Sequence, residues 1–395
     1  MTVRPLRFAP LLATLALAGC STLSSWMPSI PAPSMSSISW MWGAGPKKPG
    51  PLPEFKATTT ATAVWQVPVG KAAPGLAPAV LPGAVYAAAT DGTIVRLDPA
   101  TGSTTWRISA GKRLAAGVGA DPTIVAVGTD KGEVLAFDPD GKPLWTARVS
   151  SEVVSPPDVA EGIVAVWSGD GRLYGLSSAD GKTKWVYQRA NPPLIVRNYA
   201  GGTITRGGLF VGTAGGKLIA LDLATGRVGW EGSVATPRGA TELERIADVT
   251  SLPLVESTQA CAVAFQGRVA CFEIAKGTLL WSRDFSSLEG IVADNRYLYV
   301  TDDRSTLHAL DKTTGASVWK QDALKDRRIG GPQIAGDHLA VVDVEGYVHL
   351  LDRNDGRLAG RMATDGSPAT SQPVASGSNA VFLTTNGTLY AVTGR

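Results

Sequence analysis

The sequence predicts an all-β chain, an eight-bladed β-propeller of four-stranded antiparallel blades whose last blade is closed by an N-terminal strand. Three observations carry this reading. The 395 residues include 45 Gly and 26 Pro with only 18% charged residues, a composition of short strands and turns and not of long helices. A pattern returns about every 40 residues: Gly, three residues, a small residue, Leu or Phe, often Asp, then Gly, and finally Trp. The last copy stops short at Arg395, while a strand with its own Trp stands alone near the start.

The copies follow in order. The first runs from Gly92 through Leu97-Asp98 and Gly102 to Trp106, and the second from Gly132 through Phe137-Asp138 and Gly141 to Trp145. Leu176, Gly181 and Trp185 mark the third; Leu221-Asp222, Gly226 and Trp230 mark the fourth. The fifth has Phe272, Gly277 and Trp281, and the sixth has Leu310-Asp311, Gly315 and Trp319. In the seventh, Gly360 replaces the tryptophan, and the eighth begins at Gly387 and ends with the chain. Within one copy, Gly162–Trp167 and Arg172–Leu176 flank a Gly-Asp-Gly turn, and Ala179-Asp180-Gly181 turns into Lys182–Trp185. An inner strand at 155–159 completes four strands.

Ala61–Val67 supplies the strand that the eighth copy lacks, since Trp65 precedes Trp106 by 41 residues, one period. Closure of this kind removes the free sheet edges of an open ring. The indoles at 65, 106, 145, 185, 230, 281 and 319 are expected to pack between blades. Gly360 marks a contact that is either weak or filled by a neighbour.

Ahead of the ring, Met1–Arg7 is basic and Phe8–Ala18 is predominantly apolar; these eleven residues are too few to span the roughly 30 Å hydrocarbon core, so they read as a signal peptide. Leu17-Ala18-Gly19-Cys20 resembles a bacterial lipobox, with Cys20 the lipid-bearing, palmitate-type first residue of the mature chain. Ser21-Thr22 after it resembles lipoproteins sorted to the outer membrane. The expected organisation is a signal peptide over 1–19, a flexible lipidated tether over 20–58 and the propeller over 59–395. Trp26, Trp40 and Trp42 in the tether suit an interfacial anchor or a partner contact.

Charge narrows the partners. There are 37 basic and 34 acidic residues, and without Arg4 and Arg7 the balance falls to +1, too near neutrality for an electrostatic nucleic-acid binder. Spacing indicates a different surface: Trp185 to Trp230 is 45 residues and Trp230 to Trp281 is 51. The extra residues, around 191–199 and 235–251, must project as loops side by side on one rim.

Leu221-Asp222-x-x-Thr225-Gly226-x-x-x-Trp230 and its counterpart at 310–319 resemble the docking repeat of the quinoprotein (PQQ-like) propellers, a superfamily of dehydrogenases and non-catalytic scaffolds. Lipobox, tether and eight blades together resemble the BamB family, lipoproteins of the outer-membrane β-barrel assembly machinery (the BAM complex). The segment 239–253 is similar to that family's Thr-Glu-(Ile/Leu)-x-Arg-(Leu/Ile)-x-Asp-Val stretch, and Glu345–His349 to its Glu-Gly-Tyr-(Leu/Val)-His stretch. The resemblance implies a cofactor-free, non-enzymatic scaffold, itself monomeric, that is lipid-anchored to the outer membrane and faces the periplasm. Its implied partners are the POTRA domains of BamA and other BAM subunits, and its implied role is to assist folding and insertion of β-barrel proteins. Carried over by residue, the contact patch matches Leu194, Val196 (in place of a second Leu) and Arg197, with Arg245 as the family arginine. The acidic positions match Asp248 and Thr250, so the second carboxylate is missing. The alternative is that Leu194 and Val196 cover the loop base while Arg245 and Asp248 pair with each other.

Chemistry has few footholds. A PQQ-dependent dehydrogenase is the rival class and a cell-wall or sugar-binding propeller a weaker one, but no adjacent Cys pair, GxSxG, HExxH, Walker A or CxxC occurs. His308 and His349 fall at one slot of two copies, which suits a structural role. The Asp-Gly pairs at 91–92, 170–171 and 355–356 read as turns and not as metal loops. Cys261 and Cys271 flank a turn at Gln266-Gly267. A two-residue loop there sets Cys261 opposite Phe272, one place out of register, so a disulfide and a pair of buried thiols both stay open.

Overall fold

The computed structural model describes residues 48–190, 192–196 and 200–395. The succession of short β-branched and small apolar runs broken by Gly turns leaves no stretch fit for a helix, and every regular element among the described residues is a strand. These form eight four-stranded antiparallel sheets, with strands that follow one another in the chain lying side by side. Blades 1 to 7 occupy residues 79–109, 114–148, 158–188, 202–233, 254–285, 291–321 and 333–363. Blade 8 takes 374–394 from the C-terminal end and Ala61–Pro68 from the N-terminal end. Trp65 lies opposite Ala391 and Pro68 opposite Thr388. Thr60 and Arg395 exchange two backbone hydrogen bonds of 2.7 and 3.1 Å. The expected closure is present.

The second and third strands of each blade are buried on both faces, as Val125–Thr129 is throughout its length. Outer strands such as Thr104–Ser109 alternate between exposed and half-buried. In all eight blades the third and fourth strands shift register at one point, beside the small-residue slot; Gly175, for example, sits opposite Trp185 just before the shift. Such a bulge re-aims one side chain. Here that side chain is the indole in every blade but the seventh, where Gly360 holds the slot.

Each ring then lies on the next blade. Trp185 covers Gly226, where a β-carbon would stand 2.6 Å from the indole, and its N–H donates to the Leu223 carbonyl at 2.8 Å. Trp65, Trp106, Trp145, Trp230, Trp281 and Trp319 likewise donate to the carbonyls of Pro99, Pro139, Ser178, Ile274, Lys312 and Arg353. The receiving turn is made by the motif itself: the Asp222 carboxylate accepts the Thr225 N–H and hydroxyl, and Gly226 closes the turn at φ +69°. The Thr225 hydroxyl and N–H hold the Asp222 carboxyl below its usual range.

The two ring cysteines require a correction. Val263 pairs with Val269, and Ala264 N–H donates to Arg268. The connection therefore has three residues, 265–267, with Gln266 at φ 48°. An odd loop places Cys261 opposite Cys271, not Phe272. The two are joined by a disulfide and wholly buried.

Candidate functional site

The two insertions are the connections from the outer strand of one blade to the inner strand of the next, after blades 3 and 4 respectively. Such connections all emerge on one face of a propeller, the face that also carries the turn between the second and third strands. The first insertion leaves blade 3 at Gln188, and at its root Arg189 forms an ion pair with Glu231 of blade 4. That pairing, with a second contribution from Lys217, lowers the Glu231 carboxyl below its usual range. Pro192 and Pro193 cannot donate to a sheet ladder, and no strand runs through 192–196. Leu194 and Ile195 follow with 43% and 41% of their surface exposed. Arg197 and the lipidation candidate Cys20 lie outside the described residues, as do Trp26, Trp40 and Trp42.

The second insertion carries a self-capped turn. The Glu244 carboxylate accepts the N–H groups of Ala240 and Thr241, while the Thr241 hydroxyl accepts the Glu244 N–H, the reciprocal arrangement of a capping box. These backbone donors hold the Glu244 carboxyl low. The turn presents Leu243, 67% exposed. Arg245 Nε donates to the Gly239 carbonyl at 3.2 Å, and its guanidinium lies 3.5 Å from Glu242. Beyond the turn, Ala247 and Val249 drop into the apolar cluster between blades 4 and 5.

Asp248 joins the two loops. It is only 2% exposed; one carboxylate oxygen accepts the Val196 N–H at 2.6 Å and the other the Gly215 N–H at 2.8 Å. Asp248 therefore does not pair with Arg245, and it offers no free carboxylate to a partner. It fixes where Val196 sits. Thr250 is buried too, its hydroxyl donating to the Leu288 carbonyl. Between the loops and blades 3 and 4 lies a cavity of about 290 Å³, walled by Trp167, Arg189, Ile195, Val196, Asp248 and Val249 among others.

The long Trp-to-Trp steps mark both loops, and the Val196–Asp248 bond places them side by side. That spacing does not single out Ile195 or Leu243, both exposed on the loops. Ile195 falls in the unassigned position of Leu-x-Val, and Leu243 is hidden among Glu242, Glu244 and Arg245. The signal for both was an aliphatic residue in a segment too long for its blade.

A second cavity of about 660 Å³ opens on the inner strands. Asp158 and Glu289 line it, and burial raises both carboxyls, Glu289 to about 7. Among the described residues no three His, Cys, Asp or Glu side chains converge as a metal site requires. The histidines at the repeated slot are spoken for: His308 lies 3.0 Å from Asp302 and His349 lies 2.9 Å from Asp343.

Comparison with known proteins separates fold from family. A crystal structure of BamB from Moraxella catarrhalis superposes with a TM-score of 0.78 at 24% identity, covering 85% of this chain and all of that one. A quinohemoprotein alcohol dehydrogenase from Pseudomonas putida HK5 is similar at a TM-score of 0.65 and 12% identity, over 84% of this chain and 76% of the enzyme. At these identities the likeness shows the propeller alone. Sequence relatives named outer membrane protein assembly factor BamB come from Nitrosomonas eutropha, 46% identical over 77% of this chain and 75% of the relative, and from Bordetella pertussis, 42% identical over 87% and 90%. The family model described as outer membrane protein assembly factor BamB matches residues 90–321 and 312–395. With that model covering most of the ring and these relatives covering most of both chains, the chain belongs to the outer membrane protein assembly factor BamB family.

Proposed function

We propose that the chain is a non-enzymatic scaffold of the outer-membrane β-barrel assembly machinery, lipid-anchored through Cys20 on the periplasmic side and binding the POTRA domains of BamA. The observation that carries the docking surface is Asp248 holding the two insertions together. It sets the exposed aliphatic side chains of Leu194 and Ile195 on the face that also carries Leu243 and Arg245. Exposed aliphatic side chains beside an arginine suit an interface with an apolar core, in which Arg is among the residue types that carry binding energy. On this reading Leu194 and Ile195 are anchors, Arg197 and Arg245 supply polar contacts, and Asp248 and Val196 position the loop. The relatives' shared name supports the assignment to the assembly machinery. The outer-membrane anchor rests on the lipobox and Ser21-Thr22.

The test is capture of the BamA POTRA domains by the purified mature chain. Leu194→Ala with Arg197→Ala should weaken capture at least tenfold with an unchanged thermal midpoint, since each lost anchor removes about 1–2 kcal/mol of binding. Capture at the unaltered level sinks the interface. Mass spectrometry of the mature N-terminus checks the anchor separately; an unmodified Cys20 overturns it.

A further inference from the structure

Residues 49–55, Pro-Gly-Pro-Leu-Pro-Glu-Phe, precede the closing strand and belong to no sheet. Three prolines in alternation favour a polyproline conformation, in which the backbone carbonyls have no internal partner and residues three apart share a face. The two carbonyls that blade 7 takes are three apart. Arg327 donates to the Gly50 carbonyl, and Arg361 donates to the Pro53 carbonyl at 2.6 Å. The Arg361 guanidinium also lies over the Phe55 ring, 4.9 Å from its centre, a cation–π contact.

The two arginines belong to one network. Arg327, whose side chain is 1% exposed, donates to Asp343 at 2.7 Å and to Glu345 at 2.6 Å. Asp343 accepts from His349, whose other ring nitrogen faces Arg361 Nε at 3.4 Å. Asp343 also takes the N–H groups of Glu345 and Tyr347. The Glu345–His349 stretch is thus the frame of this network. Blade 6 repeats the Asp–His pair as Asp302 and His308, but Lys320 stands opposite His308 where Arg361 stands opposite His349. Only blade 7 of these two adds the fork-shaped cation that a bare carbonyl and a ring can share.

We propose that blade 7 carries a binding site for the chain's own proline-rich root, residues 49–55, and that this site fixes the face of the wheel from which the anchor departs. Gly50 N–H also meets the Asp326 carbonyl, in the connection from blade 6 to blade 7. The start of the root, at Gly50, therefore lies on the same face as the two insertions, because it and they are seated at outer-to-inner connections. This membrane consequence rests on the lipid-anchor reading above, whereas the clamp itself does not. Reach is not what the clamp controls. What changes is the point of departure.

Spin labels at Glu54→Cys and Asp337→Cys in the full lipidated chain report the clamp, because the native cysteines are then lipidated or disulfide-bonded. The unaltered root should give one narrow distance distribution. Phe55→Ala, which leaves the propeller untouched, and Arg361→Ala should each broaden it about twofold or more, as a freed segment samples its random-coil span. Equal widths in all three proteins overturn the clamp. In phosphatidylethanolamine–phosphatidylglycerol vesicles carrying a lipid acceptor dye, energy transfer from a donor at Leu243→Cys should exceed that from one at Asp337→Cys. Phe55→Ala should bring the two together. A narrow distribution in solution with equal transfer on vesicles refutes the membrane consequence and leaves the clamp standing; failure of POTRA capture bears on neither.

Discussion

Seven blade junctions are closed by an indole, and the junction between blades 7 and 8 is not. At the seven, a ring from one blade lies on the glycine turn of the next and donates to a carbonyl there. At the eighth, the third strand of blade 8 pairs from Gly394 with the N-terminal strand beginning at Ala61, so its fourth strand is not reached through a glycine turn of the repeat. The space that a ring would need is taken by the root of the closing strand. Thr58 and Thr59 both donate to the Ala359 carbonyl, and a β-carbon on Gly360 would stand 2.9 Å from the Thr59 oxygen. Stacked Phe382 and Tyr390, 5.5 Å apart, fill the interior of this junction instead. Gly360 is not a decayed repeat. It is what closure requires, and the neighbour that fills the gap is the chain's own N-terminal segment.

Three substitutions break or sharpen this contrast. Trp185→Ala should cost most, about 3–5 kcal/mol, because it opens a cavity under a buried ring and strands the Leu223 carbonyl; urea unfolding measures it, and an unchanged midpoint removes the indole from the account. Gly360→Trp should restore the repeat in sequence yet destabilise by about 1–3 kcal/mol through overpacking against Thr59. A gain in stability there would mean that the junction is merely unfilled. Glu289→Gln, on the inner wall, separates channel from rim. The unfolded carboxyl titrates near 4.5 and the folded one near 7, so the native state holds more protons between these values and stability falls as pH rises through that window. The variant should flatten this fall, worth about 1–3 kcal/mol above pH 7, while Asp158, raised in the same direction, leaves a residual slope. A profile as steep as before would place the proton elsewhere.

The ring was legible because a propeller spends its sequence on local signals. Asp222, Thr225, Gly226 and Trp230 each act within a few residues of one another or at one period's distance, so their spacing alone reveals the blades. The insertions were legible as excess length. What escaped was whatever depended on the direction of a side chain in space. Asp248 reads as a surface acid beside Arg245, yet two backbone N–H groups, one from the first insertion and one from blade 4, draw it inward. Arg327 sits among Lys325, Asp326 and Arg328 and falls at no slot of the repeat, yet its partners lie in blade 7 and before the ring begins. The cysteine register turned on a loop longer by one residue than the dipeptide signal suggested.

Joining residues 61–68 to 388–394 also sets a timetable. The first strand to be made is the last to be used, and it waits through the synthesis of every other blade. The entropy of bringing such distant partners together grows only slowly with separation, but the search is late and the waiting edges are sticky. Losing a few residues at the C-terminus therefore does far more than shorten one sheet. It leaves the earliest strand without a destination, and an otherwise finished protein with two raw edges facing water.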